Sequence, residues 1–142
     1  MFGAIVAILS GVLMSVQGVF NEGVTKATSI WVSSSFVQFT ALLTCLAAWC
    51  ISGFQGSFLS LGNVSGKYML LGGVIGAAIT FTVIKSFSSI GPAKAVMIIV
   101  VSQLAAAYLM ELFGMFGVQK AAFEVRKLVA VFICTAGILL FK

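Results

Sequence analysis

The sequence has few charged residues. Only 8% of its 142 residues are Asp, Glu, Lys or Arg, whereas a soluble domain holds roughly 25%. Hydrophobic residues make up 61% of the chain, and the mean hydropathy is +1.22. The net charge is +5, but the basic residues are scattered and form no patch of the kind that binds nucleic acid. These figures exclude a water-soluble domain and a nucleic-acid partner, and they predict a protein surrounded by membrane lipid.

Histidine is absent, which removes the commonest catalytic base and metal ligand. The three cysteines, Cys45, Cys50 and Cys134, lie in apolar segments at spacings that match no metal motif. We interpret them as small packing residues, since free cysteines are often buried. No nucleophile is placed beside a base. The sequence therefore predicts a protein that is not an enzyme and holds no metal or cofactor.

Proline is scarce as well, because Pro92 is the only one, and this favours unbroken helices. A helix that spans a bilayer needs about 20 apolar residues. The chain holds five apolar segments, over residues 2–24, 31–53, 68–87, 95–112 and 128–141. They predict an all-α integral membrane protein, multi-pass in the cell inner membrane, with one transmembrane domain over residues 1–142. The fifth segment is short, so the alternative is four spans with the fifth helix at the interface.

The first segment carries polar side chains where lipid tolerates few. Ser10, Met14, Gln17 and Asn21 are spaced by four, three and four residues, so on a helix they share one face. This face predicts the wall of a cavity. Gln17 is expected about 6 Å beyond the bilayer midplane, given a rise of about 1.5 Å per residue.

Further polar residues lie in the second and fourth segments. An amide offers both hydrogen-bond donors and an acceptor, so a cavity lined by amides suits a polar solute. The alternative is that these amides hold helices together, each contributing about 0.6 kcal/mol. The predicted solute-binding residues are Gln17, Asn21, Trp31, Gln38, Ser102 and Gln103.

Two acidic residues near helix ends, Glu22 and Glu111, are candidates for coupling transport to a proton or cation. A coupled antiporter usually has a carboxylate inside the membrane, and no charged residue lies at the middle of any predicted segment. The alternative is that both carboxylates are hydrated at the membrane surface.

The basic residues divide equally between the two sides of the membrane if there are five spans. Orientation follows the side with more Lys and Arg in short loops, so an equal division predicts insertion in both directions. Two opposed copies would then form an inverted dimer of ten helices, the arrangement of many transporters. The alternative is that other determinants fix one orientation. One side holds Lys67, Lys120, Arg126 and Lys127, and the other holds Lys26, Lys85, Lys94 and Lys142.

The order of motifs resembles the drug/metabolite transporter superfamily. Residues 71–114 (LGGVIGAAITFTVIKSFSSIGPAKAVMIIVVSQLAAAYLMELFG) and 125–140 (VRKLVAVFICTAGILL) are similar to the last three helices of the EamA-like repeat. The shared features are the Ile90–Gly91 turn, a helix ending in Glu111 and Gly137 in the final helix. Residues 11–24 (GVLMSVQGVFNEGV) resemble the small single-repeat, YdcZ-like branch.

This resemblance implies a five-helix repeat, assembly as opposed inverted copies, and transport of a small metabolite or drug by alternating access. Three features depart from the related patterns. Gln103 stands where many EamA-like repeats have proline, the third loop is more basic, and the first helix lacks the mid-depth glutamate of the small multidrug resistance branch. The last departure argues against exchange of drug cations for protons.

The sequence thus predicts a secondary transporter that moves a small polar metabolite or drug-like solute as an antiparallel homodimer, or as a pair with a paralogue. One alternative is a passive dual-topology ion channel, which would conduct without saturation. Another is a non-transporting membrane subunit that supports a partner protein.

Overall fold

The computed structural model describes residues 1–64 and 66–140, and all regular elements in these ranges are helical. This confirms the prediction of an all-α protein. Short 3-10 helices at Phe58–Asn63, Lys67–Leu71 and Met115–Gly117 lie in the connections. The α-helices of the described residues are α1 (Phe2–Ala27), α2 (Ile30–Ile51), α3 (Gly72–Ile90), α4 (Pro92–Phe113) and α5 (Val125–Leu140).

The helix boundaries have local causes. α1 runs three residues past the predicted end, and its last turns carry an ion pair between Lys26 and Glu22 at 2.8 Å, a spacing that supports a helix. Ser29 begins α2 as its N-cap, where its hydroxyl accepts a hydrogen bond from the Val32 N–H at 3.2 Å. Between α3 and α4 lies Gly91, whose φ of 81° suits a residue without a Cβ. Pro92 follows at the first helical position, which needs no N–H donor.

Contacts along the chain form two compact units, Met1–Ser89 and Ile90–Lys142. The first unit contains α1, α2 and α3, and the second contains α4 and α5. The sequence predicted one domain over residues 1–142, a boundary that no comparison tests.

In the first unit, polar and aromatic contacts join the three helices. The fully buried Ser33 hydroxyl donates a hydrogen bond to the Asn21 carbonyl at 3.0 Å, which links α2 to α1. Gly18 lies against the ring of Phe87, which is only 2% exposed, so α1 and α3 meet at a residue without a side chain. The rings of Trp31 and Phe81 stand 5.1 Å apart between α2 and α3. These contacts fix α1 beside α2, which positions the candidate site.

In the second unit, Tyr108 joins α4 to the segment before α5. Its hydroxyl accepts from the Glu124 N–H at 3.0 Å and donates to the Glu124 carbonyl at 3.2 Å. Lys127 pairs with Glu111 at 3.2 Å and lies 5.5 Å from the centre of the Tyr108 ring. The Glu111 carbonyl also accepts from the Ala121 N–H at 2.9 Å. These bonds hold the connection against the end of α4.

Large apolar side chains cover the outside of the helices. Within the described residues, the buried hydrophobic side chains are few, namely Ile84, Phe87, Ala95 and Tyr108. Soluble monomers do not expose apolar surface on this scale, so lipid is the solvent that this surface requires. Four helical stretches are long and apolar enough to cross a membrane: Phe2–Ala27, Ile30–Ile51, Lys67–Ile90 and Pro92–Phe113.

α5 is the exception. Its 16 residues extend about 24 Å, less than the roughly 30 Å of a hydrocarbon core. The prediction of five spans is therefore supported for four helices and stays a prediction for the fifth.

The Ser33 hydroxyl bonds to the Asn21 carbonyl of α1, and the buried Ser34 hydroxyl has no partner among the described residues. Eight other hydroxyl groups inside these helices are satisfied by their own backbone. Each donates to the carbonyl four residues earlier, at 2.8 to 3.0 Å. This local bond satisfies the group where water is absent. Side-chain amides are longer and have two donors, so they need other partners. The hydroxyls are Ser10, Ser15, Thr25, Thr40, Thr44, Thr80, Ser102 and Thr135.

Candidate functional site

An open groove runs between α1 and α2 in the first unit, with a volume of about 710 Å³. We call it the α1–α2 groove. Seven of its lining residues come from α1 and five from α2, spaced so that each set follows one side of its helix. The lining residues are Ser10, Leu13, Met14, Val16, Gln17, Phe20, Asn21, Val37, Thr40, Ala41, Thr44 and Cys45.

The predicted polar face of α1 lies in this groove. Ser10, Met14, Gln17 and Asn21 all line it. α1 has 26 residues, so Gln17 lies about 4 Å beyond the helix midpoint. The structure thus brings together the four residues whose spacing predicted a cavity wall.

The amides of Gln17 and Asn21 have no hydrogen-bond partner among residues 1–64 and 66–140. Asn21 is only 7% exposed, and its backbone carbonyl accepts from both Ser33 and Thr25. An amide left without partners in apolar surroundings loses roughly 1–3 kcal/mol. A partner that bonded to these two amides would recover that free energy, and their role as solute ligands stays a prediction.

The other polar groups of the groove are already used as donors. The hydroxyls of Ser10, Thr40 and Thr44 donate to backbone carbonyls of their own helices at 2.8 to 3.0 Å. Their oxygens keep acceptor capacity. The groove lining contains no Asp, Glu, Lys or Arg, so it carries no formal charge.

Two predicted site residues of α2 lie elsewhere. The Gln38 amide donates to the Thr80 hydroxyl at 3.3 Å, and that hydroxyl donates in turn to the Gly76 carbonyl at 3.0 Å. Gln38 thus joins α2 to α3, which is the helix-holding role given above as the alternative. Trp31 is 70% exposed and lies against Phe81.

The predicted residues of α4 belong to the second unit. Ser102 and Gln103 are exposed, and the Ser102 hydroxyl donates to the Ile98 carbonyl at 2.8 Å. Their role as solute ligands stays a prediction.

Both coupling candidates are held in ion pairs. Glu22 pairs with Lys26 at 2.8 Å, and its side chain is 12% exposed. Glu111 pairs with Lys127 at 3.2 Å, and its side chain is 43% exposed. Glu22 does not line the groove, so a coupling role for Glu22 would act from outside it.

The α2 side of the groove was missed in the sequence. Val37, Thr40, Ala41, Thr44 and Cys45 recur at helical spacing on one face. That spacing was a usable signal. Hydroxyls and small residues occur on many faces of membrane helices, however, and only the position of α1 distinguishes the groove-lining face of α2 from the others. In the described part of the chain, no group of three His, Cys, Asp or Glu residues could hold a metal ion.

Comparison with known families decides the broader class. The family described as "Putative inner membrane exporter, YdcZ" matches residues 2–140. The chain belongs to this family. Membership in the YdcZ family confirms the predicted branch of the drug/metabolite transporters, and with the apolar helices it establishes a multi-pass inner-membrane protein. Membership in an exporter family supports a role in transport in general. An exporter family is not a class of enzymes. The searches of curated proteins and of solved structures found no match.

Proposed function

We propose that this YdcZ-family chain is a secondary transporter that exports a small polar metabolite or drug-like solute by alternating access. The observation that carries the proposal is the α1–α2 groove, where two amides of a membrane helix face open space without partners. Polar groups in such segments usually mark a pathway or a helix contact. The buried Ser33 hydroxyl already joins α2 to α1 by donating to the Asn21 carbonyl, which leaves the amides available for a solute.

We further propose that two copies pair in opposite orientations, either as a homodimer or with a paralogue. A groove open on one side needs a second wall to exclude lipid from the solute. Inverted repeats supply that wall in many transporters, with the solute near the midplane. The position of Gln17, about 4 Å from the midpoint of α1, supports the proposal of such a shared site.

The charge balance favours this assembly only if α5 spans the membrane. With five spans, each side has four basic residues. If α5 lies at the interface, Lys142 changes sides and the division becomes five and three. The topology of the C-terminus therefore tests α5 and the dimer together.

A reporter pair fused to the C-terminus is expected to be active on both faces of the membrane, in comparable amounts. An enzyme active only outside the cytoplasm and a fluorescent protein active only inside it serve as the pair. The reason is that equal basic charge gives the insertion machinery no preferred direction. Adding two lysines at exposed positions, as Ala27→Lys with Thr28→Lys, is expected to leave one orientation. Activity of a single reporter in the unmodified chain would contradict dual topology.

Saturable counterflow is expected from purified protein in liposomes. A thermal-stability screen with uncharged, cationic and anionic metabolites first selects a solute, and the radiolabelled form is then taken up against an internal pool of the same compound. An alternating-access carrier exchanges bound solute, so uptake is faster into preloaded liposomes. Flux that rises linearly with concentration and ignores preloading would instead indicate a passive channel, and absence of flux with every selected solute would favour a non-transporting subunit.

A further inference from the structure

We infer that the α1–α2 groove binds an uncharged amphiphilic solute, which accepts hydrogen bonds at one end of an apolar body, and that it rejects cations and anions. This inference rests on the proposed function and names the solute class of the same groove. Two observations support it: the groove lining carries no charged residue, and the hydroxyl groups of the lining donate their hydrogen bonds to backbone carbonyls.

The first step concerns charge. None of the twelve lining residues is Asp, Glu, Lys or Arg. The nearest acidic residue along α1 is Glu22, which follows Asn21, and it already pairs with Lys26 at 2.8 Å. An ion that enters a site of low dielectric loses its hydration, and only an opposite charge in the site compensates for that loss. The groove offers none, so an uncharged solute enters with the smaller penalty.

The second step concerns hydrogen-bond donors. The hydroxyl protons of Ser10, Thr40 and Thr44 are directed to backbone carbonyls. The free N–H donors of the lining are therefore the amides of Gln17 and Asn21. A solute group that pairs with these N–H donors must accept hydrogen bonds, as a carbonyl does, and a solute amide can in addition donate to the Gln17 and Asn21 amide oxygens.

The third step concerns the arrangement along the groove. The Asn21–Ser33 contact and the short link between the helices place α1 and α2 antiparallel. Gln17 and Asn21 thus lie at one end of the groove, and Ser10 lies at the other end with Thr44. From Ser10 to Asn21 the helix rises about 16 Å. Between these ends the lining is mainly apolar, with Leu13 and Ala41 among its members, and this suits an aliphatic or aromatic body.

Three six-carbon compounds with one variable end group test the inference: hexanamide, hexylammonium and hexanoate. Binding to the full-length protein in lipid nanodiscs is measured by calorimetry, with protein-free nanodiscs subtracted to remove partition into lipid. Hexanamide is expected to bind at least about tenfold more tightly than either ion, a ratio that corresponds to 1.4 kcal/mol. A wild-type preference for either ion, or no binding of any of the three, would overturn the inference.

Gln17→Glu places a carboxylate in the groove with little change of shape. We expect it to reverse the order, so that hexylammonium binds at least about tenfold more tightly than hexanamide. Gln55→Glu makes the same change at an exposed amide in the connection after α2, outside the groove lining, and is expected to keep the wild-type order. If Gln17→Glu fails to fold, Gln17→Met is the second variant and is expected to lose hexanamide binding. An unchanged order in Gln17→Glu, or unchanged hexanamide binding in Gln17→Met, would overturn the inference.

The same proteins in liposomes separate this inference from the proposed function. If the wild-type protein carried an ion with saturable flux, the proposed transport function would stand and the inference of an uncharged solute would be overturned. Tight binding of hexanamide, reversed by Gln17→Glu, without saturable flux of any solute would support the inference and overturn transport.

Discussion

Gln17→Leu is expected to reduce saturable flux by roughly 5- to 150-fold while leaving the protein folded. The Gln17 amide lines the α1–α2 groove and has no partner among the described residues. Its removal breaks no bond within the chain. A solute that pairs with this amide would keep a polar group without a partner in the variant, a loss of roughly 1–3 kcal/mol, and each 1.4 kcal/mol changes binding tenfold. Counterflow in liposomes at a subsaturating solute concentration measures the effect.

Ser15→Ala is the matched control for Gln17→Leu. Ser15 lies two residues away on α1, outside the groove lining, and its hydroxyl donates to the Gly11 carbonyl at 3.0 Å. Its flux is expected within about twofold of the wild type, since only a bond internal to the helix is lost. Equal flux from Gln17→Leu and Ser15→Ala would remove Gln17 from the solute pathway.

The α1 half of the site was predictable because lipid makes polar side chains informative. A membrane helix satisfies its own backbone, so a face with Ser10, Gln17 and Asn21 has few explanations other than a cavity or a helix contact. The spacing alone placed these residues together, and the structure puts all of them in one groove. The apolar segments likewise predicted helices, since their length and composition leave few alternatives in a bilayer.

The partners of the other amides were not predictable. Gln38 has the same chemistry and a similar apolar setting as Gln17, yet it donates to Thr80 on α3. Which amide faces a groove depends on where the neighbouring helix lies, and helix neighbours in lipid are selected by close packing that the hydropathy pattern does not encode. The same reason explains why the α2 lining, from Val37 to Cys45, was missed.

The close packing of α1 against α3 is most sensitive to mutation at Gly18. A Cβ added at this position would lie 2.5 and 2.7 Å from two ring carbons of Phe87, well inside van der Waals contact. Phe87 is 2% exposed, so its ring has little free space to move into. Gly18→Ala is therefore expected to lower the free energy of unfolding by about 1–3 kcal/mol, the usual effect of an overpacked core. Gly18→Val is expected to lower it further, and thermal unfolding in detergent measures both.

Gly11→Ala is the control, because it adds the same methyl group to the same helix with no heavy atom within 4 Å. It is expected to match or exceed the wild-type stability, since alanine favours a helix by about 1 kcal/mol over glycine. Combining Gly18→Ala with Phe87→Leu makes room for the methyl group and is expected to restore part of the loss. If Gly18→Ala and Gly11→Ala melted at the same temperature, α1 and α3 would not meet at Gly18. α1 would then pack in another position within the first unit, and the α1–α2 groove would change with it, because the same helix carries both Gly18 and the amides of Gln17 and Asn21.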